Sequence, residues 1–482
     1  MAESIKLQTI NGVKWTAIGQ FSTQVISFGL GVILARLLLP SDFGTIGVLA
    51  IFMAISQTFV DSGMGSALVR KPDLRDIDCT TVFYFNIAVA VCCYFILFLL
   101  SPYIADFFSM PILSPVVKIY CLTLVIGAFE SVHISRLTIA LNFKSLAKVN
   151  VCSSIISGII GVILAYLGLG IWALVWQSVL SRILHVLMIW VTLRWIPQRA
   201  FSIESFKELF GYGSKLLAGS ILWQIYSNLT PIIIGKFYSA KDLGFYNRGT
   251  GLAQLPEYTI LGILDKVVFP IFAKIQTDTE RLVDVYRKYI KCTSMAIMFC
   301  MILFAALARP LVLVLLSDKW EECIIYLQIF VFCVLFDHVQ KLNLSLLKVV
   351  GYSGLVLKLE VYKRIVSISL IFAAIPFGVI GICISQVIYA QIALIFNTYY
   401  TGKKFGLGYW TQMKDFLPYV IMSVVACAPS YAITLIGLSN WVALLLGVVT
   451  APTLYLTILI IKNDETYSEF VKPIITRFIH RW

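Results

Sequence analysis

The sequence predicts an all-α integral membrane protein with about fourteen transmembrane helices. Of its 482 residues, 59% are hydrophobic and only 13% are charged, and the mean hydropathy is +0.89. A soluble protein of this length could not bury so much apolar surface, so lipid must cover part of it. Apolar segments of roughly 20 residues, the length that spans a hydrocarbon core, also recur along the whole chain.

Fourteen apolar segments meet this length criterion. The first seven lie near 13–37, 43–66, 80–105, 115–140, 147–168, 170–195 and 209–236. The next seven lie near 243–272, 290–316, 324–349, 356–376, 378–400, 416–436 and 440–462. In the fifth segment Ser157, Gly161 and Ala165 are spaced by four, which predicts close helix packing. We expect no cleavable signal peptide, because Met1–Lys14 is short and mixed in character.

The connections between these segments alternate in charge. Those that follow odd-numbered segments are short and poor in Lys and Arg, whereas those that follow even-numbered segments are basic. The positive-inside rule therefore predicts that both termini are cytoplasmic. The formal net charge of +13 follows from this topology, and without a basic run interleaved with aromatic residues we expect no nucleic-acid partner. The basic connections hold Arg70, Lys71, Arg75, Lys144, Lys148, Arg194, Arg199, Lys207, Lys274, Arg281, Arg287, Lys288, Lys403, Lys404 and Lys414.

An internal repeat is the second organising feature. Gly12–Gly65 reads as two apolar helices joined by a tight turn, in which Pro40 fixes φ and Gly44 adopts angles other residues avoid. Shifted by 200 residues, Arg36–Gly44 aligns with Lys236–Gly244. The same offset pairs Gly19 with Gly219 and Gln24 with Gln224. A chance match is the alternative, since such turns often contain Asp and Gly.

If the repeat is real, the chain divides into three parts. Residues 1–205 form an N-lobe of helices 1–6, and residues 206–402 form a C-lobe of helices 7–12. Residues 403–482 hold helices 13 and 14 and a cytoplasmic tail. No connection is long enough for a separate soluble domain, so any binding must occur within the membrane body.

Ionisable and polar side chains inside the predicted spans are the candidate functional residues, because such groups are costly in lipid and usually face a cavity. Each has an alternative: a cation near a helix end can extend to the interface, and an acid can simply neutralise a neighbouring cation. The acids are also candidates for proton or sodium coupling. The cations are Lys215, Arg248, Lys341, Lys363 and Arg364. The uncharged group is Gln24, Gln224, Asn228 and Asn343. The acids are Asp61, Glu130, Asp337 and Glu360.

Motifs for catalysis and metal binding are missing from the sequence. There is no Walker loop, GxGxxG, HExxH or nucleophile elbow. The 11 cysteines form no CxxC, and the four histidines show no zinc spacing. We therefore expect neither an enzyme nor a metal site, and no cofactor other than a coupling ion, H⁺ or Na⁺.

Five stretches carry a resemblance to a known family. They are Gly12–Gln20, Leu34–Gly44, Phe59–Arg70, Gly211–Lys215 and Asp242–Arg248. Together they resemble Wzx-type polysaccharide flippases, in particular the WzxC-like branch of the multidrug/oligosaccharidyl-lipid/polysaccharide exporter superfamily. The likeness spans nearly the whole chain. The Pro-x-Asp-Phe-Gly turn is specific to the superfamily rather than to any one substrate.

This resemblance implies a V-shaped bundle of two pseudo-symmetric six-helix lobes around a central cavity, plus two C-terminal helices. It implies alternating access driven by an ion gradient in the bacterial inner membrane. The implied cargo is an undecaprenyl-diphosphate-linked oligosaccharide repeat unit for capsule, exopolysaccharide or O-antigen. The implied partners are this lipid-linked substrate, membrane lipids, and a polysaccharide polymerase or chain-length regulator.

Roles for the candidate residues follow from this implied cargo. The five cations would offset the diphosphate charge, and the four uncharged residues would contact sugars. Three alternatives stay open. A cation-coupled multidrug antiporter or a peptidoglycan-precursor flippase would share the fold. A membrane-embedded O-antigen polymerase or acyltransferase would normally carry a large periplasmic loop or a His-centred motif, and the sequence has neither.

Overall fold

A computed structural model describes the backbone of residues 2–473 and their side chains, except those of residues 2–10, 13, 257–267 and 471. The described chain is helical and contains no β-strand. It divides into two compact units, Met1–Gly244 and Phe245–Trp482. The prediction of an all-α protein is confirmed.

The first unit is built from eleven helices within the described residues. They are α1 (Ala2–Leu37), α2 (Pro40–Asp61), α3 (Met64–Arg70), α4 (Asp76–Phe107), α5 (Leu113–Tyr120), α6 (Leu122–Ala128), α7 (Ser131–Ile139), α8 (Phe143–Tyr166), α9 (Ile171–Leu193), α10 (Ile203–Ser227) and α11 (Leu229–Phe237). The next helix, α12 (Ala240–Lys274), begins in this unit and continues past Gly244.

The second unit holds the remaining helices. They are α13 (Thr279–Ala306), α14 (Ala308–Leu315), α15 (Cys323–Val334), α16 (Asp337–Val349), α17 (Ser353–Ala374), α18 (Gly378–Phe405), α19 (Tyr409–Leu435) and α20 (Asn440–Ile461). Short 3₁₀ turns lie at Asp318–Trp320 and Ile375–Phe377, and a π-helical turn lies at Tyr467–Val471.

Eleven helical stretches in the described residues are long and apolar enough to cross a membrane. The count rises to twelve if α10 and α11, which meet at a 41° bend, form one span. Their outer faces expose large apolar side chains: Leu99 is 69% exposed and Val191 is 71% exposed. Such surfaces are stable only against lipid, so the chain is a multi-pass membrane protein.

Five predicted spans are interrupted in the described residues. Those predicted at 209–236, 290–316 and 324–349 are divided between α10 and α11, α13 and α14, and α15 and α16. The segment predicted at 115–140 is three short helices, α5, α6 and α7, rather than one. The segment predicted at 43–66 breaks between α2 and α3, where Ser62 and Gly63 both have positive φ. The left-handed Ser62 closes α2 by donating its backbone N–H to Thr58, which ends the helix before the predicted position.

The internal repeat is visible in the backbone. α1 ends at Leu37 and α2 starts at Pro40, and 200 residues later α11 ends at Phe237 and α12 starts at Ala240. The carboxylate at each third helical position caps the turn. Asp42 accepts the backbone N–H of Leu39 at 3.0 Å, and Asp242 accepts that of Ser239 at 3.1 Å. The hairpin match is therefore structural and not a chance similarity.

The two turns also touch each other in an equivalent way. A Cβ built on Gly44 would overlap the carbonyl oxygen of Ala240, and one built on Gly244 would overlap that of Pro40. The 200-residue offset exchanges the two contacts. Only glycine permits this approach, because the neighbouring atoms belong to backbone and cannot rotate away.

The compact units and the predicted lobes divide the chain at different residues, Gly244 and residue 205, and the lobes stay a prediction. α10 packs against α2, α3 and α4, and α11 packs against α2. These helices, predicted to open the C-lobe at residue 206, therefore belong to the first compact unit, which ends at Gly244. The sequence repeat and the compact units end at different residues, because a helix can pack against helices of the other repeat.

Small residues bring three helices of the first unit close together. A Cβ on Gly19 of α1 would lie 2.6 Å from the Cβ of Ala147 on α8. A Cβ on Gly161 of α8 would lie 2.9 Å from side-chain carbons of Gln177 on α9. The close packing predicted for the fifth segment is confirmed, and it fixes the three helices that carry the candidate site.

Candidate functional site

A polar face on α1 forms one wall of the candidate site. Gln20, Gln24 and Ser27 are exposed and recur at helical spacing. On another side of the same helix Phe21 and Val25 are 67% and 53% exposed. Two exposed faces of opposite polarity require two environments. The apolar face suits lipid, and the polar face requires water or protein, because amides and hydroxyls are costly in hydrocarbon.

This polar face lines a cavity of about 500 Å³ between α1 and α8. Trp15 contributes an aromatic face and Asn150 contributes an amide from α8, and among the described side chains no charged one lines the cavity. The hydroxyl oxygen of Thr23 is buried without a hydrogen-bond partner among the described residues. The volume falls in the range of roughly 300–1,000 Å³ of small-molecule pockets. The lining is Trp15, Thr16, Gly19, Gln20, Thr23, Gln24, Ser27, Phe143, Leu146, Ala147 and Asn150.

A buried carboxylate lies in the same unit as the cavity. Glu130 is 1% exposed and is ion-paired with Arg182 of α9. Its other oxygen lies 2.6 Å from Nδ1 of His185, one turn further along α9. A carboxylate with a charged partner on one oxygen and an imidazole on the other is satisfied inside the membrane.

A second acid lies close to this group. Asp61, at the end of α2, accepts a hydrogen bond from Nε2 of Gln57 at 2.9 Å. It is within electrostatic range of both Arg182 and Glu130. The structure thus brings together two of the predicted coupling acids, Asp61 and Glu130, around one arginine.

Asn150 connects the acidic cluster to the cavity. Nε2 of His185 lies 2.7 Å from Oδ1 of Asn150, and Asn150 also lines the α1–α8 cavity. A continuous chain of polar contacts therefore runs from Arg182 through Glu130 and His185 to the cavity wall.

The other candidates in the first unit lie on α10 and at its break. Lys215 is exposed on α10. Nδ2 of Asn228 donates to the backbone oxygen of Gln224 at 2.8 Å and to its side-chain oxygen at 3.3 Å. The two side-chain amides are hydrogen-bonded to each other at the junction between α10 and α11. In this conformation they are therefore occupied by each other.

In the second unit Arg248 packs against an aromatic ring. Its guanidinium carbon lies 5.5 Å from the ring centre of Trp320, a cation–π geometry. The ring of Trp320 therefore covers one face of the guanidinium. The predicted role of Arg248 on a cavity wall stays a prediction.

The charged group on α17 is internally paired. Glu360 forms ion pairs with Lys363 and with Arg364, the latter at 3.4 Å. Lys363 is only 4% exposed, whereas Arg364 is partly exposed. The two cations and the acid leave one net positive charge on this face of α17.

The remaining candidates in the second unit lie on α16. Lys341 is half-buried. Asp337 accepts a hydrogen bond from Nε2 of Gln340 at 3.1 Å, and Gln340 accepts one from Asn397 of α18 at 3.4 Å.

Asn343 is buried in a saturated network. Its Nδ2 donates to Gln412 at 2.9 Å, and its Oδ1 accepts from Thr401 at 2.6 Å and from Gln412 at 2.9 Å. The residue is fully buried. This placement gives Asn343 a packing role among α16, α18 and α19 and leaves it no surface that a sugar could reach in this conformation.

Arg182 and Asn150 are the site residues that sequence reasoning missed. Arg182 and His185 are three residues apart within an apolar segment, so they share a helix face and could have been flagged together. Asn150 gave no comparable signal, because a single amide near a helix end is unremarkable. Among the described residues, no three His, Cys, Asp or Glu side chains are grouped to hold a metal ion.

Residues 33–325, more than half of the chain, match the family model described as "Polysaccharide biosynthesis protein". The chain belongs to this family. This polysaccharide biosynthesis protein is 23% identical over 480 residues to the teichuronic acid biosynthesis protein TuaB of Bacillus subtilis (strain 168). That match covers 97% of this chain and 99% of TuaB.

Two further comparisons agree with the family. The lipopolysaccharide biosynthesis protein WzxC of Escherichia coli (strain K12) is 25% identical over 388 residues, covering 78% of this chain and 76% of WzxC. Among solved structures, the lipid II flippase MurJ in an inward closed conformation has a TM-score of 0.74 at 14% identity. It covers 95% of this chain and 99% of MurJ, so this polysaccharide biosynthesis protein has the MurJ fold.

Proposed function

We propose that this chain is a flippase that moves an undecaprenyl-diphosphate-linked oligosaccharide repeat unit across the bacterial inner membrane for capsule, exopolysaccharide or O-antigen assembly. The observation that carries the proposal is the α1–α8 cavity, with its mixed polar and apolar lining, within a membrane unit of a polysaccharide biosynthesis protein. Its lining combines amides and hydroxyls with the apolar side chains of Trp15, Phe143 and Leu146, which matches what a neutral sugar presents, hydroxyls on the edge and an apolar face.

The proposed architecture has fourteen spans. The eleven stretches that cross by length become fourteen if the bent pair α10–α11, the long α12, and α17 and α18 on either side of their 3₁₀ turn are each counted. An even number keeps both termini on one side of the membrane, and the basic connections favour the cytoplasm as that side. Residues 1–205 and 206–402 would be the two lobes of alternating access, with 403–482 outside them.

Cations would receive the diphosphate. Lys215 is the first choice, because it is exposed within a membrane-spanning unit and has no ion pair among the described residues. Arg364 and Lys341 are candidates in the second unit, since both are partly exposed. Gln24 would contact the glycan, and Gln224 and Asn228 would do so only after the α10–α11 break reopens.

Coupling to an ion gradient would use the acids. Asp61 and Glu130 form the stronger pair, because a proton or a sodium ion arriving there meets two carboxylates beside a single arginine. Asp337 and Glu360 are the corresponding candidates in the second unit. We propose no bound cofactor and no catalytic step, and we propose a polysaccharide polymerase and chain-length regulator as downstream partners.

The decisive test uses a strain that lacks this gene, with the first glycosyltransferase of the polymer under titratable control. Lipids are extracted and analysed by mass spectrometry, and surface polymer is measured in parallel. We expect an undecaprenyl-diphosphate oligosaccharide to accumulate on the cytoplasmic leaflet while surface polymer disappears, both reversed by the wild-type gene.

Other outcomes would identify the alternatives. A lipid carrying a peptidoglycan precursor would indicate that class of flippase. Higher drug sensitivity without any lipid-linked sugar would indicate an antiporter. A translocated but unpolymerised repeat unit would point to a membrane enzyme.

A further inference from the structure

A second concave surface of the first unit is a groove of about 390 Å³ between α8 and α9, which shares no residue with the α1–α8 cavity. We propose that this α8–α9 groove binds an anionic phospholipid, with one acyl chain in the groove and the phosphate on Lys148. The proposal goes beyond the flippase function, because it concerns a lipid of the surrounding bilayer and not the cargo. The groove is lined by Lys148, Val149, Cys152, Leu187, Met188, Val191 and Thr192.

The groove has a packed floor and exposed sides. Val149 is buried and Met188 is partly buried, and both pack in one apolar cluster of the unit. Leu187 and Val191 are exposed on α9, the former by 58%. A concave apolar surface of this kind requires an apolar occupant, and in a membrane-spanning unit the available occupant is a hydrocarbon chain.

The polar residues of the groove lie at one end of it. The short turn 167–170 joins α8 to α9, so the two helices pack side by side in opposite directions. Lys148 lies in the second turn of α8 and Thr192 in the last turn of α9, so both belong to the end where α8 begins and α9 ends. Cys152 and Leu187 lie about one turn further in. A polar end followed by an apolar interior matches an amphiphile that enters from the membrane surface.

The charge at this end is positive and has no nearby acid in sequence. Between Glu130 and Glu204 the chain contains no Asp or Glu, so α7, α8 and α9 carry no carboxylate. Lys148 is exposed and forms no ion pair among the described residues. The anions that a bilayer presents near its surface are lipid phosphates, and a lysine binds a phosphate as a point charge. Charge complementarity therefore favours an anionic headgroup at Lys148.

The headgroup can be specified further. A phosphodiester has a single negative charge, which one lysine can offset, whereas a diphosphate has more than one. A zwitterionic headgroup adds an ammonium that Lys148 repels. The hydroxyl of Thr192 donates its proton to the backbone oxygen of Met188 at 2.7 Å, so it can only accept from a ligand. A phosphodiester followed by hydroxyl groups, as in phosphatidylglycerol, meets all these conditions.

The test uses photoreactive lipids and the full-length protein in phosphatidylcholine nanodiscs. The two probes are phosphatidylglycerol and phosphatidylethanolamine, each with a diazirine at the same position of one acyl chain. Crosslinked peptides are located by mass spectrometry. The phosphatidylglycerol probe is expected to label residues 148–152 and 187–192 about fivefold more than the other probe, the value of one lysine beside an anionic lipid. Val449, 62% exposed on α20, serves as a position that both probes should label equally.

Variants assign the preference to Lys148. Lys148→Gln is expected to reduce labelling by the phosphatidylglycerol probe to the level of the phosphatidylethanolamine probe, and Lys148→Arg is expected to retain the preference. Lys144→Gln is the matched control, because Lys144 is exposed one turn earlier on α8 and its Nζ lies 5.2 Å from the ring centre of Trp15 instead. It is expected to behave as the wild type. The substituted positions are exposed, so the variants should fold.

Three results would overturn the inference. The first is equal labelling of the groove by both probes in the wild type. The second is a preference that survives in Lys148→Gln or is lost equally in Lys144→Gln, which would indicate diffuse attraction and not a site. The third is displacement of the probe by undecaprenyl phosphate at lower concentrations than by phosphatidylglycerol, which would assign the groove to the carrier lipid. None of these depends on the export test, so the proposed function and this inference can fail separately.

Discussion

Arg287 and Asp415 form a two-pronged ion pair between α13 and α19. Nε and Nη2 of Arg287 lie 2.8 Å from the two carboxylate oxygens of Asp415, and Asp415 is only 3% exposed. Two parallel hydrogen bonds between a guanidinium and a carboxylate fix both the distance between the two groups and their relative orientation. The contact joins the beginnings of two long helices in the second unit.

Removing the acid of this pair is expected to destabilise the protein strongly. Asp415→Ala should lower the free energy of unfolding by about 1–3 kcal/mol, because two charge-assisted hydrogen bonds are lost while the guanidinium, 42% exposed, stays partly solvated. The matched control is Lys288→Ala, which removes the exposed neighbouring pair with Glu469 and should cost less than about 1 kcal/mol. Thermal unfolding in detergent, followed by tryptophan fluorescence, checks both. Equal effects would contradict the assignment.

Glycine at the paired turns is expected to be irreplaceable. Gly44→Ala or Gly244→Ala should each lower the unfolding free energy by about 1–3 kcal/mol, because the new Cβ meets backbone that cannot rotate away. The double variant should cost less than the two single costs added together, since both disturb one contact. Gly29→Ala is the control: a Cβ there meets nothing within 4 Å. A Gly29→Ala variant as unstable as Gly44→Ala would refute the steric argument.

Glu130 is expected to be required for both folding and transport. Glu130→Ala leaves Arg182 and His185 without their carboxylate and should cost about 3–5 kcal/mol. Glu130→Gln keeps the shape and one acceptor, so it should accumulate better while still failing to export polymer. Protein level by immunoblot and surface polymer by antibody separate the two effects. Glu465→Gln, at an exposed position, should match the wild type in both.

Lys215 is expected to serve transport and not stability. Lys215→Ala should fold normally, because the side chain is exposed. It should reduce export about tenfold or more, the loss expected when one charge-assisted hydrogen bond to a phosphate is removed. Lys207→Ala, at an exposed position two turns earlier on α10, is the control. Full export by Lys215→Ala at normal protein levels would remove Lys215 from the diphosphate site.

Gln24 and Asn343 are expected to behave oppositely, although the sequence grouped them together. Asn343→Leu should lower the unfolding free energy by about 1–3 kcal/mol, because Gln412 and Thr401 lose buried partners. Gln24→Leu should leave the melting temperature unchanged and reduce export, because Gln24 is exposed in the α1–α8 cavity. Melting curves and export assays on the same membranes give the comparison, and a stable, inactive Asn343→Leu would reverse our assignment.

The membrane fold was predictable because its determinants are local. Run length and hydropathy identify a span without knowledge of its neighbours, and the turn at Leu39–Gly44 combines a φ-fixing proline, a capping acid and a glycine. The repeat at Ser239–Gly244 was recognised from the shared acid and glycine, Asp242 and Gly244, although Ala240 replaces the proline. These features need no tertiary information, so sequence reasoning located them to within a few residues.

The side chains that contact each other within the site were not predictable, because these contacts depend on tertiary packing. Helical periodicity identifies the face on which Glu130 lies, but not which helix packs against that face. Arg182, 52 residues away in sequence, is its partner only because α6 and α9 pack together. Asn343 illustrates the reverse case. Its polarity suggested a binding role, but its amide is fully hydrogen-bonded, within its own helix and to neighbouring helices.

The exchange of contacts between the two hairpin turns has a consequence for the history of the gene. When residue i touches residue j′ and residue j touches i′ in the same way, the contact obeys two-fold symmetry. A half-length chain with a single such turn would carry both sides of the contact, so two identical copies could form it. Duplication and fusion would make that pairing permanent within one chain. Each copy could then diverge, as Pro40 and Leu39 already differ from their counterparts Ala240 and Ser239.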